Sequence, residues 1–172
     1  MPDKLPPVQL LAFDLDGTLT DGTTWYAGAD LGWVQRYSIR DGEALLRLVE
    51  RGLRVAPLSR NRTDSARRRI EHLGLPTTWL GVSNKAPAFD DMLAAFGLRQ
   101  GNACFIGDGR EDAEILGRVG VGLAVGNAHP EACAAARRVL ERCGGMHVVE
   151  EVELLLEAAG SIPALHSTGG RR

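Results

Sequence analysis

The sequence is poor in aromatic residues, has no excess of positive charge and contains no long apolar run. Aromatic side chains make up 5% of its 172 residues, and the formal net charge is −2 at pH 7. Nucleic-acid binding relies on basic surfaces and on aromatic side chains that stack with bases, so we expect no nucleic-acid partner. A helix that crosses a bilayer needs about 20 consecutive apolar residues, so we also expect no membrane partner.

Cysteine is equally scarce. The three cysteines, Cys104, Cys133 and Cys143, form no Cys-x-x-Cys pair. An odd number at this spacing argues against a disulfide framework or a zinc site and fits a reducing compartment. The opening segment, MPDKLPP, is too polar and too rich in proline for a secretory signal peptide. We therefore expect a cytoplasmic protein.

What the sequence has instead is a regular alternation of apolar and amphipathic segments, with 44% hydrophobic residues and 21 glycines. Apolar runs predict strands at residues 8–13, 53–58, 77–80, 103–106, 121–125 and 139–140. Helical periodicity predicts helices at residues 41–51, 63–73, 84–96, 112–119, 130–136 and 148–159, and Asp41 is the predicted cap of the first. The alternation predicts an α/β fold, a Rossmann-like three-layer sandwich with a central parallel sheet.

One segment interrupts this alternation. Residues 22–39 contain two β-favouring runs, which predict a β-hairpin inserted between the first strand and the first helix. The segment is the most aromatic piece of the chain and carries Trp25, Tyr26, Trp33 and Tyr37. A two-stranded hairpin is not stable alone, so these side chains must pack on the body or on another subunit. The chain otherwise predicts one domain over residues 1–160 and a flexible tail over residues 161–172.

The first predicted strand ends in a pair of acids. Asp14 and Asp16 follow the apolar residues 8–13, and Gly17 lets the backbone turn sharply. Open α/β sheets bind ligands at the carboxyl ends of their strands, and two acids crowded there need a cation or a shared proton. Mg²⁺ is the oxygen-seeking cation that suits them. A plain Asp-rich turn is the alternative, because Asp and Gly favour turns in any case.

Polar groups also follow the other predicted strands. Ser59 ends the second strand, Lys85 follows the third at a helix start, and Asp108 ends the fourth, with Asp112 one helical turn later. Acids, a lysine and a hydroxyl that converge on one edge describe a site for Mg²⁺ and a phosphoryl group. The metal and Lys85 would offset the charge of the phosphate oxygens, and Ser59 with nearby N–H groups would bind them.

The two acids of the first strand have different expected roles. Asp14 lies closer to the rigid strand and is the better candidate for the nucleophile. Asp16 is then the general acid for the leaving alkoxide and afterwards the base for the hydrolytic water. The predicted catalytic residues are therefore Asp14, Asp16, Ser59 and Lys85.

These groups occur along the chain as Asp14-Leu15-Asp16-Gly17-Thr18, Ser59, Lys85 and Gly107-Asp108-Gly109-Arg110-Glu111-Asp112. In this order they resemble the four motifs of the haloacid dehalogenase (HAD) superfamily phosphatases. The hairpin after Thr20-Asp21-Gly22, the run Arg40-Asp41-Gly42 and the run Asn127-Ala128-His129-Pro130 further resemble the 3-deoxy-D-manno-octulosonate 8-phosphate (KDO 8-P) phosphatase subgroup. The resemblance covers the chain up to its tail.

The resemblance implies a Mg²⁺-dependent phosphatase that hydrolyses a small phosphorylated sugar or sugar acid through an aspartyl-phosphate. Mg²⁺ would bind the Asp14 carboxylate, the Asp16 backbone carbonyl and the Asp108 carboxylate. Asp112 would support the metal-bound waters or Lys85. Members of the subgroup lack a large cap domain and form tetramers through their hairpins, so a homotetramer is expected here.

Substrate recognition is the weaker part of the resemblance. Arg40 and Arg60 are candidate contacts for a substrate carboxylate, although Arg40 can equally form a salt bridge with a nearby acid. The subgroup usually has Thr-Gly-Arg at the second motif, where this chain has Ser59-Arg60-Asn61. The subgroup also carries two C-terminal arginines, and this chain has Met146 and Glu150 in their place. An acylneuraminate 9-phosphate or a nucleotide is therefore an alternative substrate. A catalytically idle oligomeric binding module is an alternative function.

Overall fold

The computed structural model describes residues 4–165. Five strands within that range are β1 (Leu10–Phe13), β4 (Arg54–Pro57), β5 (Ala103–Gly107), β6 (Val121–Ala124) and β7 (Arg138–Val139), and two more are β2 (Trp25–Tyr26) and β3 (Trp33–Val34). The first five form one parallel sheet in the order β4-β1-β5-β6-β7. This arrangement confirms the predicted parallel α/β architecture.

Helices cover both faces of the sheet. They are α1 (Ile39–Glu50), α2 (Asp64–His72), α3 (Lys85–Phe96), α4 (Ala113–Arg118), α5 (Pro130–Ala135) and α6 (Val148–Ala158). Successive side chains of a strand point to opposite faces, so β1 places Leu11 and Phe13 in one core cluster and Leu10 and Ala12 in another. The first cluster contains residues of α1, α2 and α6, and the second contains residues of α3, α4 and α5. The molecule therefore has the three layers that the alternation predicts.

The prediction of a strand at residues 77–80 is wrong. Leu80 N donates to Thr77 O at 3.2 Å, which closes a turn, and only an isolated bridge joins Ser59 to Leu80. The turn lets the Trp79 side chain enter the core beside Phe96, with the ring centroids 5.4 Å apart. Burial of this large ring decides the conformation, where the short sequence run alone suggested a strand.

The predicted cap of the first helix is also wrong. Helix α1 begins at Ile39 after Ser38, whose Oγ accepts a hydrogen bond from Asp41 N at 3.2 Å. The Asp41 side chain is fully buried and accepts a hydrogen bond from Val149 N, in the first turn of α6, at 2.8 Å. Asp41 therefore satisfies an open amide of a distant helix and joins α1 to α6.

The hairpin is present, although its strands are shorter than predicted. Trp25 pairs with Val34 and Tyr26 with Trp33 in an antiparallel register. The Trp25, Tyr26 and Trp33 side chains are about half exposed on the single chain, with Tyr26 and Trp33 in contact at 5.5 Å between ring centroids. Only Tyr37, after the second strand, packs against the core.

The C-terminal segment is ordered further than the predicted tail boundary allows. Val8 N donates to Ser161 O at 2.8 Å, and Ile162 joins the core cluster of the first face. The flexible tail predicted for residues 161–172 therefore does not include Ser161 and Ile162, and residues 166–172 lie outside the described range. Between residues 4 and 165, no helix has both the length and the apolar character needed to cross a membrane.

We predict that Asp41→Ala lowers the free energy of unfolding by about 1–3 kcal/mol, because it leaves a buried amide of α6 without its acceptor. Asp41→Asn keeps an acceptor, and burial already raises the pKa of the Asp41 carboxyl, so this variant should lose less. Urea unfolding of both variants measures the difference, with the exposed Asp64→Ala as control. An Asp41→Ala protein as stable as the parent would contradict this account.

Candidate active site

The polar residues predicted from the strand ends meet where the strand order reverses. From β1 the chain passes to β4 on one side and later to β5 on the other, so β1 and β5 flank the reversal point. Asp14 directly follows β1, and Asp108 directly follows β5. Ligands of open α/β sheets bind at this position, outside the carboxyl ends of the strands. The topology thus explains why two residues 94 positions apart (108 − 14) lie side by side.

Lys85 connects the acids of the site. It is the first residue of α3 and is almost fully buried, with Nζ 2.8 Å from Asp14 Oδ1 and 2.8 Å from Asp112 Oδ1. Burial lowers the pKa of the Lys85 ammonium, but the charges of Asp14 and Asp112 outweigh it and raise that pKa to about 12. Lys85 is therefore a permanent cation within the site.

Asp112 is committed to holding its neighbours. One carboxylate oxygen accepts from Lys85, and the other accepts from the backbone amides of Asp108 at 3.1 Å and Gly109 at 2.9 Å. A side chain at Gly107 would lie 2.6 Å from the Asp112 carboxyl carbon, so only glycine leaves room for this arrangement. With both oxygens engaged, Asp112 holds Lys85 and the Asp108 backbone in place.

The carboxylates of Asp14 and Asp108 carry the unbalanced charge of the site. Carboxylate oxygens of Asp14, Asp108 and Asp112 lie within 4.8 Å of one another. Burial and the neighbouring acids raise the pKa of Asp14 well above its ordinary value although Lys85 opposes the shift, and burial with the Asp112 charge raises the pKa of Asp108. Crowded acids of this kind fit a hard divalent cation with oxygen ligands.

The loop after β1 brings its backbone against these acids. Gly17 has a φ of +82°, and a side chain there would overlap the Asp108 carboxylate, so both its conformation and its position require glycine. Thr18 Oγ1 donates to Asp108 Oδ1 at 3.2 Å. The backbone around Asp16 and Gly17 therefore lies close to the acids, as a carbonyl ligand from this loop requires.

Asp16 lies on the open side of the site. Its side chain is exposed and accepts hydrogen bonds from Gln35 Nε2, after the hairpin, and from Asn61 Nδ2. Ser59 is buried, and Ser59 Oγ accepts from Asn61 N at 3.1 Å, so Asn61 contacts both Ser59 and Asp16. Sequence reasoning missed both amides, since no spacing rule links Gln35 to Asp16. The proximity of Asn61 to Ser59 was an available signal.

Comparison with known proteins identifies the family of this chain. The profile of a haloacid dehalogenase-like hydrolase family matches residues 80–143. The 3-deoxy-D-manno-octulosonate 8-phosphate phosphatase KdsC of Escherichia coli is 31% identical over 160 residues, which cover 92% of this chain and 85% of that protein. The chain belongs to the HAD superfamily.

Two solved structures extend the likeness to the fold. The cobalt-bound KDO 8-P phosphatase of Haemophilus influenzae superposes with a TM-score of 0.84 at 30% identity, covering 92% of each chain. The enzyme of Moraxella catarrhalis, in complex with magnesium ion, phosphate ion and KDO, superposes with a TM-score of 0.80 at 26% identity and covers 88% of this chain and 87% of its own. The chain is a phosphoric monoester hydrolase of this superfamily. The carboxylates of Asp14, Asp108 and Asp112 form a group that could hold a metal ion such as the Mg²⁺ in the Moraxella catarrhalis complex.

The HAD site has an open cleft on the Asp16 side. A cavity of about 560 Å³ is lined by Asp16, Arg60, Asn61, Arg62, Ser83 and Glu111 among others. The Arg60 side chain is 61% exposed, with its nearest acid, Glu111, 3.6 Å away. Arg60 therefore lines the same cleft as Asp16, the predicted acid–base residue, and most of its side chain is exposed.

Arg40 has a different environment from Arg60. Its Nη2 lies 2.7 Å and 2.6 Å from the two carboxylate oxygens of Glu150, and Arg142 Nη1 donates to the same carboxylate at 2.6 Å. Hydrogen bonds from Arg40 and then Arg142 lower the pKa of Glu150 to about 2. Arg40 was a candidate either for a substrate contact or for a salt bridge, and in the single chain it forms the salt bridge with Glu150.

The segment before Glu150 packs on the active-site loop. Gly145 N donates to Thr18 O at 2.8 Å, and a side chain at Gly144 would overlap the Gly17 carbonyl. The glycines of this segment are thus a steric requirement of the site. His147 Nδ1 lies 2.9 Å from Ser38 Oγ and ties the same segment to the start of α1.

We predict that Mg²⁺ raises the thermal midpoint of the protein, because it relieves the repulsion between Asp14 and Asp108. At about 100 times the dissociation constant the gain is roughly 2.7 kcal/mol, or about 5–10 °C. Asp108→Asn should melt higher than the parent in EDTA and gain little from Mg²⁺, while the control Asp64→Asn behaves as the parent. An equal Mg²⁺ shift in Asp108→Asn would show that the ion binds elsewhere.

Proposed function

We propose that Asp14 is the nucleophile of a two-step phosphatase. The observation that carries this proposal is the buried cluster of Asp14, Lys85 and Asp112 beside Asp108, with Asp16 next to it in the open cleft. An Asp14 oxygen attacks phosphorus, the bond to the leaving oxygen breaks, and an aspartyl-phosphate forms. Asp16 gives its proton to the leaving alkoxide.

The second step regenerates the enzyme. Asp16 accepts a proton from water as the water oxygen attacks phosphorus, and the bond between phosphorus and Asp14 breaks to release inorganic phosphate. The net reaction consumes one water and yields an alcohol and phosphate. Asp16 thus ends the cycle protonated, as it began.

The surrounding groups stabilise charge and position the substrate. Lys85 and the Ser59 hydroxyl would bind phosphate oxygens, and Asp112 keeps Lys85 in place. The Asp14 carboxylate, the Asp16 carbonyl and the Asp108 carboxylate would hold Mg²⁺, which supplies the positive charge that lets one anion approach another. Thr18, which donates to Asp108, orients one of these ligands.

The substrate we infer is a small phosphorylated sugar or sugar acid of the KDO 8-P type. The names of the relatives support this class. Arg60 in the cleft is the candidate contact for a substrate carboxylate, and Arg40 becomes one only if it leaves Glu150. An acylneuraminate 9-phosphate or a nucleotide is the second candidate class. The contact between Arg40 and Glu150 favours the nucleotide of these two, because a nucleotide has no carboxylate for an arginine to bind.

We also infer a cytoplasmic location. Cys104, Cys133 and Cys143 are all free thiols in the structure. Cys143 is exposed, and exposed free thiols suit a reducing compartment.

Asp14→Asn should abolish phosphate release from every substrate while the fold persists, because the nucleophile is lost. Steady-state assays on KDO 8-P, acylneuraminate 9-phosphate, nucleoside monophosphates and simple sugar phosphates rank the substrates by kcat/KM. Acid-quenched parent enzyme should carry bound phosphate, and Asp14→Asn enzyme should carry none. The control Asp64→Asn keeps parent activity, whereas turnover by Asp14→Asn at the parent rate would refute the mechanism.

We further propose that the hairpin mediates a homotetramer. Trp25, Tyr26 and Trp33 are 49%, 57% and 57% exposed on the single chain, and Leu31 at the turn is 70% exposed. An apolar cluster of this kind on a two-stranded hairpin favours a partner surface.

Light scattering on the parent should give four times the mass of the chain. The double variant Trp25→Ser/Trp33→Ser should give a smaller species, because it removes the largest apolar area of the hairpin. Leu154→Ser on α6 is the matched control, since Leu154 is 57% exposed but lies outside the hairpin. A double variant that remains tetrameric would place the interface elsewhere.

A further inference from the structure

We propose that Gln35 and Asn61 are positioning residues that hold Asp16 for proton transfer, an inference that rests on the acid–base role proposed for Asp16. Both amides donate to the same oxygen, Asp16 Oδ1, and the Asn61 contact measures 2.9 Å. The donors come from two separate parts of the fold, the segment after the hairpin and the loop between β4 and α2.

The orientation of the Asn61 amide is fixed by its other contacts. Asn61 Oδ1 accepts from Thr63 N at 2.8 Å and from Thr63 Oγ1 at 2.7 Å. Because Thr63 caps α2, this oxygen is held at a helix start, and the NH₂ group must face Asp16. The Asn61 backbone amide donates to Ser59 Oγ, which anchors the loop at the end of β4.

The Gln35 amide is fixed in the same way. Gln35 Oε1 accepts from Asn61 Nδ2 at 3.0 Å and from the Tyr37 hydroxyl at 3.3 Å. Tyr37 packs against the core, and the Arg69 guanidinium lies 5.8 Å from its ring centroid. The oxygen of Gln35 therefore faces these donors and its NH₂ group faces Asp16. Both amides present a donor to Asp16 as a consequence of contacts that do not involve Asp16.

The arrangement decides which oxygen of Asp16 can face the leaving group. Two donors occupy Oδ1, whereas Oδ2 accepts no hydrogen bond from any residue in the range 4–165. Oδ2 is therefore the oxygen of Asp16 that is free to meet the leaving group. The Asp16 side chain is exposed and without these donors would sample several rotamers, so the clamp confines Oδ2 to one region of the cleft.

A structural role predicts a different result from a positioning role. If the amides only fasten the hairpin to the body, their loss weakens every reaction of the site equally. If they position the general acid, their loss affects leaving groups that need a proton and spares those that do not. The contrast between an alkyl phosphate and 2,4-dinitrophenyl phosphate measures this difference, because dinitrophenolate departs without protonation.

The test compares kcat/KM of the two substrates, a quantity that reports the step in which the leaving group departs. Gln35→Met and Asn61→Leu remove the donors with little change of volume. Each should lower kcat/KM for the alkyl phosphate by about 10- to 100-fold and for the dinitrophenyl ester by less than about 3-fold, since general acid catalysis contributes roughly 10²- to 10⁴-fold. The double variant should approach the loss of Asp16→Asn.

Three controls make every outcome decisive. Thr24→Val removes a hairpin hydrogen bond to Val34 O without touching Asp16 and should leave the substrate contrast unchanged. Asn61→Asp keeps the acceptor for Thr63 and replaces Asn61→Leu if that variant does not fold. Asp16→Asn must itself show the selective loss, and if it does not, the proposed function fails. If Asp16→Asn shows it and the amide variants lose both activities equally, the clamp fails and the proposed function stands.

Discussion

The ion pair of Lys85 with Asp14 and Asp112 is the interaction on which the rest of the structure depends. Buried carboxylates are costly unless they are paired and hydrogen-bonded, and here one ammonium lies 2.8 Å from two of them. The pair requires α3 to begin at Lys85, which the Asn84 cap ensures by accepting from Ala86 N at 3.2 Å. The buried carboxylate of Asp14, the proposed nucleophile, is compatible with folding because this cation is supplied from the same sheet edge.

Close backbone approach is the second constraint on the site. Side chains at Gly17 and Gly107 would overlap Asp108 and Asp112, and a side chain at Gly144 would overlap the loop from the other side. Three polypeptide segments, which contain Gly17, Gly107 and Gly144, therefore pack closely around Asp108 and Asp112, and none of the three glycine positions has room for a Cβ atom. The hydrogen bond from Gly145 N to Thr18 O shows that the C-terminal segment is part of the active-site wall. The shape of the site thus depends on close-packed backbone as much as on its acidic side chains.

The fold class and the acids of the site could be predicted because rigid elements place them. Asp14 and Asp108 follow apolar strands directly, and parallel strands bring their carboxyl ends to one edge. Gln35 could not be predicted, since its contact depends on how the hairpin lies against Asp16, and only the proximity of Asn61 to Ser59 in the sequence pointed to Asn61. The cap of α1 was misassigned for a related reason: Ser38 and Asp41 both suit a helix start, and only the position of α6 decides between them. Local rules fail where a distant element competes for the same side chain.

The charges around Arg40 limit the contacts that a substrate carboxylate can make. Glu150 is ionised at any working pH, because its pKa is about 2, and it engages Arg40 through both oxygens. A substrate carboxylate that bound Arg40 would only replace one carboxylate by another, with little net gain in free energy. Arg60 is not engaged in this way, so the attraction for an anionic substrate lies on the Asp16 side of the cleft. A sugar-acid phosphate of the KDO 8-P type, whose carboxylate lies at the other end of the molecule from its phosphate, would therefore depend on Arg60 and not on Arg40 for the contact with its carboxylate.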